Sequence, residues 1–236
     1  MKLAFIVALL TISSVCAVAR NETNDAPVAA CVELNQTFAT QMANGQFSEG
    51  ETALSAALAS RADHADDACT ALILNNMAGL LSVLGRVAEA ERLAERSVAI
   101  LEKIPNDSVL LRSLQILAAI RFEEGKIARA REALKRMQSI RIQRPEDSAL
   151  VHGTAAAFLQ NEGRRPEAEA EYIAAIRAWG EAGRGETADT GDILNSLVAL
   201  YIKEQRLDEA RRTLDRALAI FSRARDAVPM DRACRR

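Results

Sequence analysis

A glycine followed five residues later by alanine or glycine recurs along this chain at a nearly fixed interval. The copies are Gly45 and Gly50, Gly85 and Ala90, Gly125 and Ala130, and Gly163 and Ala168, with a degenerate fifth at Gln205 and Ala210. Successive copies lie 40, 40, 38 and 42 residues apart. A fixed period of that size marks a stack of like supersecondary units, each unable to bury its apolar face alone. Such arrays present surfaces more often than they perform chemistry.

Each period contains two amphipathic runs. In the second copy Leu74, Met77, Ala78 and Leu81 fall at helical spacing before the glycine, and Val87, Ala90, Ala94, Ser97 and Val98 after it. A glycine between the runs supplies the positive φ that ends one helix and starts the next. The unit is therefore a helical hairpin. The small residue five places on is expected where the two helices cross closest. Composition agrees: aromatics are only 4% of 236 residues within a hydrophobic fraction of 49%, as suits closely packed helices. The expected fold is all-α, an α-solenoid of about five hairpins over residues 31–225, with an N-terminal linker at 20–30 and a polar tail at 226–236.

The hairpins resemble the tetratricopeptide repeat. In that family helix A carries a large residue, a leucine, a small residue and an aromatic, and helix B carries alanine, aromatic and alanine. Matching sets here are Leu74, Met77, Ala78, Leu81 with Ala90, Ala94, Ser97, and Leu114, Leu117, Ala118, Arg121 with Ala130, Leu134, Met137. His152, Ala155, Ala156, Leu159 with Ala168, Tyr172, Ala175 follow, then Leu194, Leu197, Val198, Tyr201 with Ala210, Leu214, Ala217. The period near 40, and Asp63-His64-Ala65-Asp66 ahead of Leu74-Asn75-Asn76-Met77-Ala78, are similar to the kinesin-light-chain type. Sel1-like and HEAT arrays fit the helix-A pattern less well.

The resemblance implies a concave groove lined by helices A, in which a protein or an extended peptide is held. The side chains expected to face it are Asn75, Ser82, Arg112, Gln115, Glu123, Gln160, Asn161, Asp192, Asn195 and Lys203. Amides can pair with the backbone of an extended peptide and so tolerate many sequences. For each residue taken singly, an ordinary solvated helix face is the alternative.

Nothing in the sequence points to an enzyme or to a cofactor. His64 stands among Asp63, Asp66 and Asp67, where acidic side chains favour a helix N-terminus; metal-ligand spacing motifs are absent. His152 falls on a helix-A core position. No nucleophile motif and no glycine-rich phosphate loop occurs. A net charge of −2 gives no basic field for nucleic acid.

Lys2, the apolar run Leu3 to Ile12 and the small-x-small step at Ala17-Val18-Ala19 read as a signal peptide, residues 1–19, cleaved after Ala19. The run is too short to span a bilayer. The expected protein is therefore secreted or periplasmic, without stable membrane insertion after cleavage. Its arginine-over-lysine bias suits a GC-rich bacterial genome. Cleavage leaves Cys31, Cys69 and Cys234 in an oxidising compartment. Cys31 and Cys69 sit near the start of helix A in successive copies, where either a disulfide or two small buried side chains fits. Trp179, followed by Gly180, Gly183 and Gly185, is expected in the longest connection between hairpins, where it covers the end of the preceding helix; a partner anchor is the alternative. Beyond the fifth hairpin no full helix follows, so Leu207, Leu214, Leu218 and Phe221 are expected to form an apolar edge that could dock a partner or a second copy.

Overall fold

The computed structural model describes residues 31–227, apart from 32, 33, 35, 36, 39, 43, 62–66 and 105–106, with side chains to Arg223. The signal peptide with Ala19, the 20–30 linker, His64 with Asp63 and Asp66, and the tail with Cys234 lie outside the described residues. Every element described is helical. A helical stretch within residues 31–42 precedes α1 (Phe47–Ala59), α2 (Ala68–Val83), α3 (Val87–Leu101), α4 (Asp107–Glu123) and α5 (Ile127–Ser139). Then come α6 (Pro145–Asn161), α7 (Arg165–Glu181), α8 (Ala188–Lys203) and α9 (Leu207–Ala227). Two compact units divide between Gln143 and Arg144, α1–α5 in the first and α6–α9 in the second. Among the described residues no helix is long and apolar enough to cross a membrane.

The turn of each hairpin follows from one backbone conformation. Gly85 has φ +79°, and its neighbours close the end of α2: the Arg86 N–H donates to the Leu81 carbonyl at 2.8 Å and the Gly85 N–H to Ser82 at 3.0 Å. This double bond satisfies carbonyls left free at a helix C-terminus. The same pair of bonds recurs at Gly45, Gly125 and Gly163. It recurs also at Gln205, which keeps φ +60° without being glycine. The degenerate fifth copy has therefore lost the residue but kept the geometry.

Five residues on, Ala90, Ala130, Ala168 and Ala210 are all buried where the hairpins close. Gly50 takes this place in the first hairpin because a Cβ there would sit 3.3 Å from the Phe38 ring. The helix-A pattern faces the core as expected: Leu74, Ala78, Leu81, Leu114, Leu117, Ala118, Leu194 and Leu197 are buried. In the first unit the hairpins stack through α3 against α4 and α2 against α4; in the second, α8 packs against both α7 and α6.

Ion pairs tie one hairpin to the next at a recurring place. Glu51, Glu91 and Glu169 each stand six residues after a turn glycine, and pair with Arg86, Lys126 and Arg206 in the turn of the following hairpin, at 2.5, 2.5 and 2.6 Å. The third hairpin, the last of its unit, carries Arg131 at that position. Glu91 also accepts from Arg121 at 2.9 Å. Burial works against its charge, but these two cations outweigh burial and hold its carboxyl at about 2. Its contribution is present above the ordinary carboxylate range and is lost as pH falls toward 2.

Trp179 and Gly180 lie inside α7, which continues to Glu181. The expected long connection is thus six residues, 182–187, shorter than the eight at 60–67. The wider repeat interval arises largely because α7 has 17 residues where α3 has 15. Trp179 is core: it packs with Ala149 and Ala178, and the Arg184 guanidinium stacks 4.8 Å from its ring centre.

Candidate functional site

The expected groove residues fall on four helices in two units. Asn75 and Ser82 lie on α2, and Arg112 and Gln115 on α4, all in the first unit; Gln160 and Asn161 lie on α6, Asn195 and Lys203 on α8, in the second.

In the first unit α2 and α4 pack directly and run in the same direction, each connected through an antiparallel helix B. Asn75 follows core Leu74, and Gln115 follows core Leu114, so the two amides occupy the same register on neighbouring helices. Ser82 stands two turns along the Asn75 side of α2. These side chains do not sit on an open solvated face. Asn75 is 0% exposed, Ser82 is buried, and Gln115 is 7% exposed. Asn75 Oδ1 and Nδ2, Ser82 Oγ and Gln115 Oε1 have no hydrogen-bond partner among the described residues. Buried polar groups are nearly always paired, and each left unpaired costs about 1–3 kcal/mol. Four such atoms lie on two adjacent helices of this unit. Arg112 is half-buried.

The second unit uses its residues differently. Gln160 Oε1 accepts from the Tyr172 hydroxyl at 2.6 Å, which ties α6 to α7. Asn161, Asn195 and Lys203 are exposed. His152 is also a hairpin tie, its Nδ1 lying 2.5 Å from Glu171 Oε2. Asp192 on α8, also expected to face the groove, is unusual. Its Oδ2 is buried without a partner, and burial together with the charge of Asp189 pushes its carboxyl up to about 7. Asp189 itself is paired with Arg184 at 2.6 Å.

Asp67 caps α2: its Oδ1 accepts from the Thr70 N–H at 2.7 Å, and its other oxygen pairs with Arg61. That is the helix-terminus role expected for the acidic cluster. Cys31 and Cys69 are joined in a disulfide, their Cα atoms 5.9 Å apart. A link across 38 residues restricts the unfolded chain by about 4 kcal/mol in the loop-entropy model. It fixes the segment that begins at Cys31 to the first turn of α2, the helix that carries Asn75.

Residues 69–143, spanning α2 to α5, match the family model described as tetratricopeptide repeat. Comparison with curated proteins gives no significant match. Among solved structures, the chain is similar to the apo form of the quorum sensor NprR from B. thuringiensis, with a TM-score of 0.62 and 11% identity over 89% of this chain. It spans 58% of that protein's length. It is similar also to BtubC (BKLC) from P. vanneervenii, with a TM-score of 0.59 and 19% identity over 95% of this chain and 94% of the other. A putative kinesin light chain with nearly identical TPR-like repeats from Podosopora anserina gives 0.53 and 21% identity over 81% and 95%. These likenesses show the fold.

Proposed function

Residues 69–143 are tetratricopeptide repeats, and the rest of the described chain shares the fold of kinesin-light-chain-like repeat proteins; from that premise we propose that this chain is an exported, non-catalytic binding protein that holds an extended peptide or protein segment against α2 and α4. One observation carries the reading: Asn75, Ser82 and Gln115 keep unpaired polar atoms buried on two adjacent helices, closed off in the free protein, so the peptide reaches them by parting α2 from α4. A peptide backbone offers an N–H and a C=O at every residue, the complement of an amide pair. Hydrogen bonds to backbone alone tolerate many sequences, and side-chain contacts beside them add preference. The Cys31–Cys69 bond supports an oxidising compartment, and with it the export expected from residues 1–19.

The test is binding of a randomised, unstructured peptide library to the immobilised full chain, followed by anisotropy titration of the peptides retained. Asn75→Ala with Gln115→Ala is expected to weaken the retained peptides about tenfold or more, since each lost hydrogen bond contributes about 0.5–1.5 kcal/mol. Asn161→Ala, on the exposed end of α6, serves as the control. Unchanged affinity in the double variant refutes the reading.

A further inference from the structure

The last helix of the second unit leaves uncovered the face that earlier hairpins bury. Positions nine residues after the turn residue are Leu54, Ala94 and Tyr172 in α1, α3 and α7, and all three are buried. Four places further, Val98 in α3 is buried and Ile176 in α7 packs into the core clusters of its unit. In α3 and α7 this face meets the first helix of the next hairpin. The matching residues of α9, Leu214 and Leu218, are 40% and 57% exposed, and Leu207 on the same stripe is 60% exposed. Phe221 packs inward with Leu194, Ala217 and Ile220 and is not part of this edge.

The charges along this stripe identify its occupant. Arg211 and Asp215 are exposed and lie beside the leucines, one turn apart. Read in either direction, the stripe has leucine at its ends, Leu207 and Leu218, with opposite charges at the centre. Turned about a two-fold axis, each leucine end meets a leucine end and Arg211 comes opposite Asp215, as an isologous contact requires. The exposed side of α9 mixes Asp208, Asp215, Arg211, Arg212 and Arg216, whereas a helix that lies on an anionic membrane carries a basic polar face.

We propose that α9 is the contact surface for a second copy of this chain. The two α9 helices pack antiparallel, Leu207 of each against Leu218 of the other, and Arg211 of each pairs with Asp215 of the other. A two-fold contact closes on itself, so the product is a dimer and not a filament. Three leucines per copy fall short of the roughly 800 Å² per partner of a standard interface, so the dimer is weak, with a dissociation constant on the order of 10–100 μM. This surface is separate from the buried polar atoms on α2 and α4, and the proposal stands whether or not a peptide binds there.

Sedimentation velocity of the full chain across about 1–500 μM tests it, a range set to bracket that constant. A monomer–dimer equilibrium is expected. Arg211→Asp alone and Asp215→Arg alone each weaken it about fivefold or more, and the two together restore it, because charge pairs across an interface couple by 1 kcal/mol or more. Leu218→Glu abolishes it, and circular dichroism melts show whether that variant keeps its fold. A strict monomer, an open-ended series of oligomers, or a dimer indifferent to the single charge reversals overturns the proposal. The charge-reversal set is decisive even if Leu218→Glu unfolds.

Discussion

Replacing Asn75 with leucine should make this protein more stable and weaken the peptide binding proposed for α2 and α4. Asn75 is fully buried, and neither of its side-chain polar atoms has a partner among the described residues. An unpaired buried oxygen or nitrogen costs about 1–3 kcal/mol, and here both belong to one residue. Leucine branches at the same carbon, so the replacement keeps the shape while removing both polar atoms. It also gains a few tenths of a kcal/mol in helix propensity. Against these stands the larger leucine, whose extra hydrogens cost about 1 kcal/mol in a packed helix layer. The balance is a stabilisation of about 1–5 kcal/mol, or a Tm rise of roughly 2–20 °C for a chain of this size. Urea denaturation followed by far-UV circular dichroism measures it; Trp179 fluorescence does not report on the site directly, because Trp179 lies in the second unit. Anisotropy with retained peptides should show about tenfold weaker binding in the same variant, since its amide hydrogen bonds are gone. Stability rising while binding falls is the pattern of a residue kept for function at a cost to the fold. A variant less stable than the parent by more than about 1 kcal/mol would refute the reasoning, because it would mean that the Asn75 amide is satisfied in solution.

Two further outcomes follow from single residues. Gln205 holds φ +60°, where a side chain costs about 1 kcal/mol relative to glycine. Gln205→Gly should therefore raise the unfolding free energy by about 0.5–1 kcal/mol after the extra freedom of glycine in the unfolded chain is counted; no gain in chemical denaturation sinks this account. Asp192 has its folded carboxyl raised to about 7 from 3.8, so its neutral form fits the fold and its stability is fully present below pH 3.8. That stability is lost as pH rises through 7. Asp192→Asn should melt higher than the parent at pH 8 and nearly alike at pH 3.5, and equal differences at both pH values would contradict the assignment.

The turn-and-crossing step at the head of the sequence was legible because it is local chemistry. A positive φ needs glycine, and a close crossing needs a small side chain, so both leave a mark at fixed spacing. Even the lapse at Gln205 could be placed by its interval, and the Leu74, Leu114 and Leu194 core positions followed from helical period alone. The connection was misplaced because three glycines look like one; Gly180 is carried inside α7, where packing of Trp179 against Ala149 and Ala178 outweighs the cost of a helical glycine.

What the sequence could not supply was the environment of the polar side chains. Asn75, Gln115, Gln160 and Asn195 are all amides or close kin at helix-A positions off the leucine pattern, and nothing in composition separates them. Tertiary packing does: it buries the first two without partners, gives the third a tyrosine hydroxyl, and leaves the fourth in solvent. The same holds for the apolar positions of helices B. Leu214 and Tyr172 read alike by period, yet α8 covers Tyr172 while Leu214 stays exposed. Ion pairing across hairpins depends likewise on which residue stands opposite, as with Glu91 between Arg121 and Lys126. Period and turn chemistry act within a few residues and are written in the chain itself; burial is decided by distant segments brought alongside, and only the folded arrangement fixes which polar atoms go unpaired.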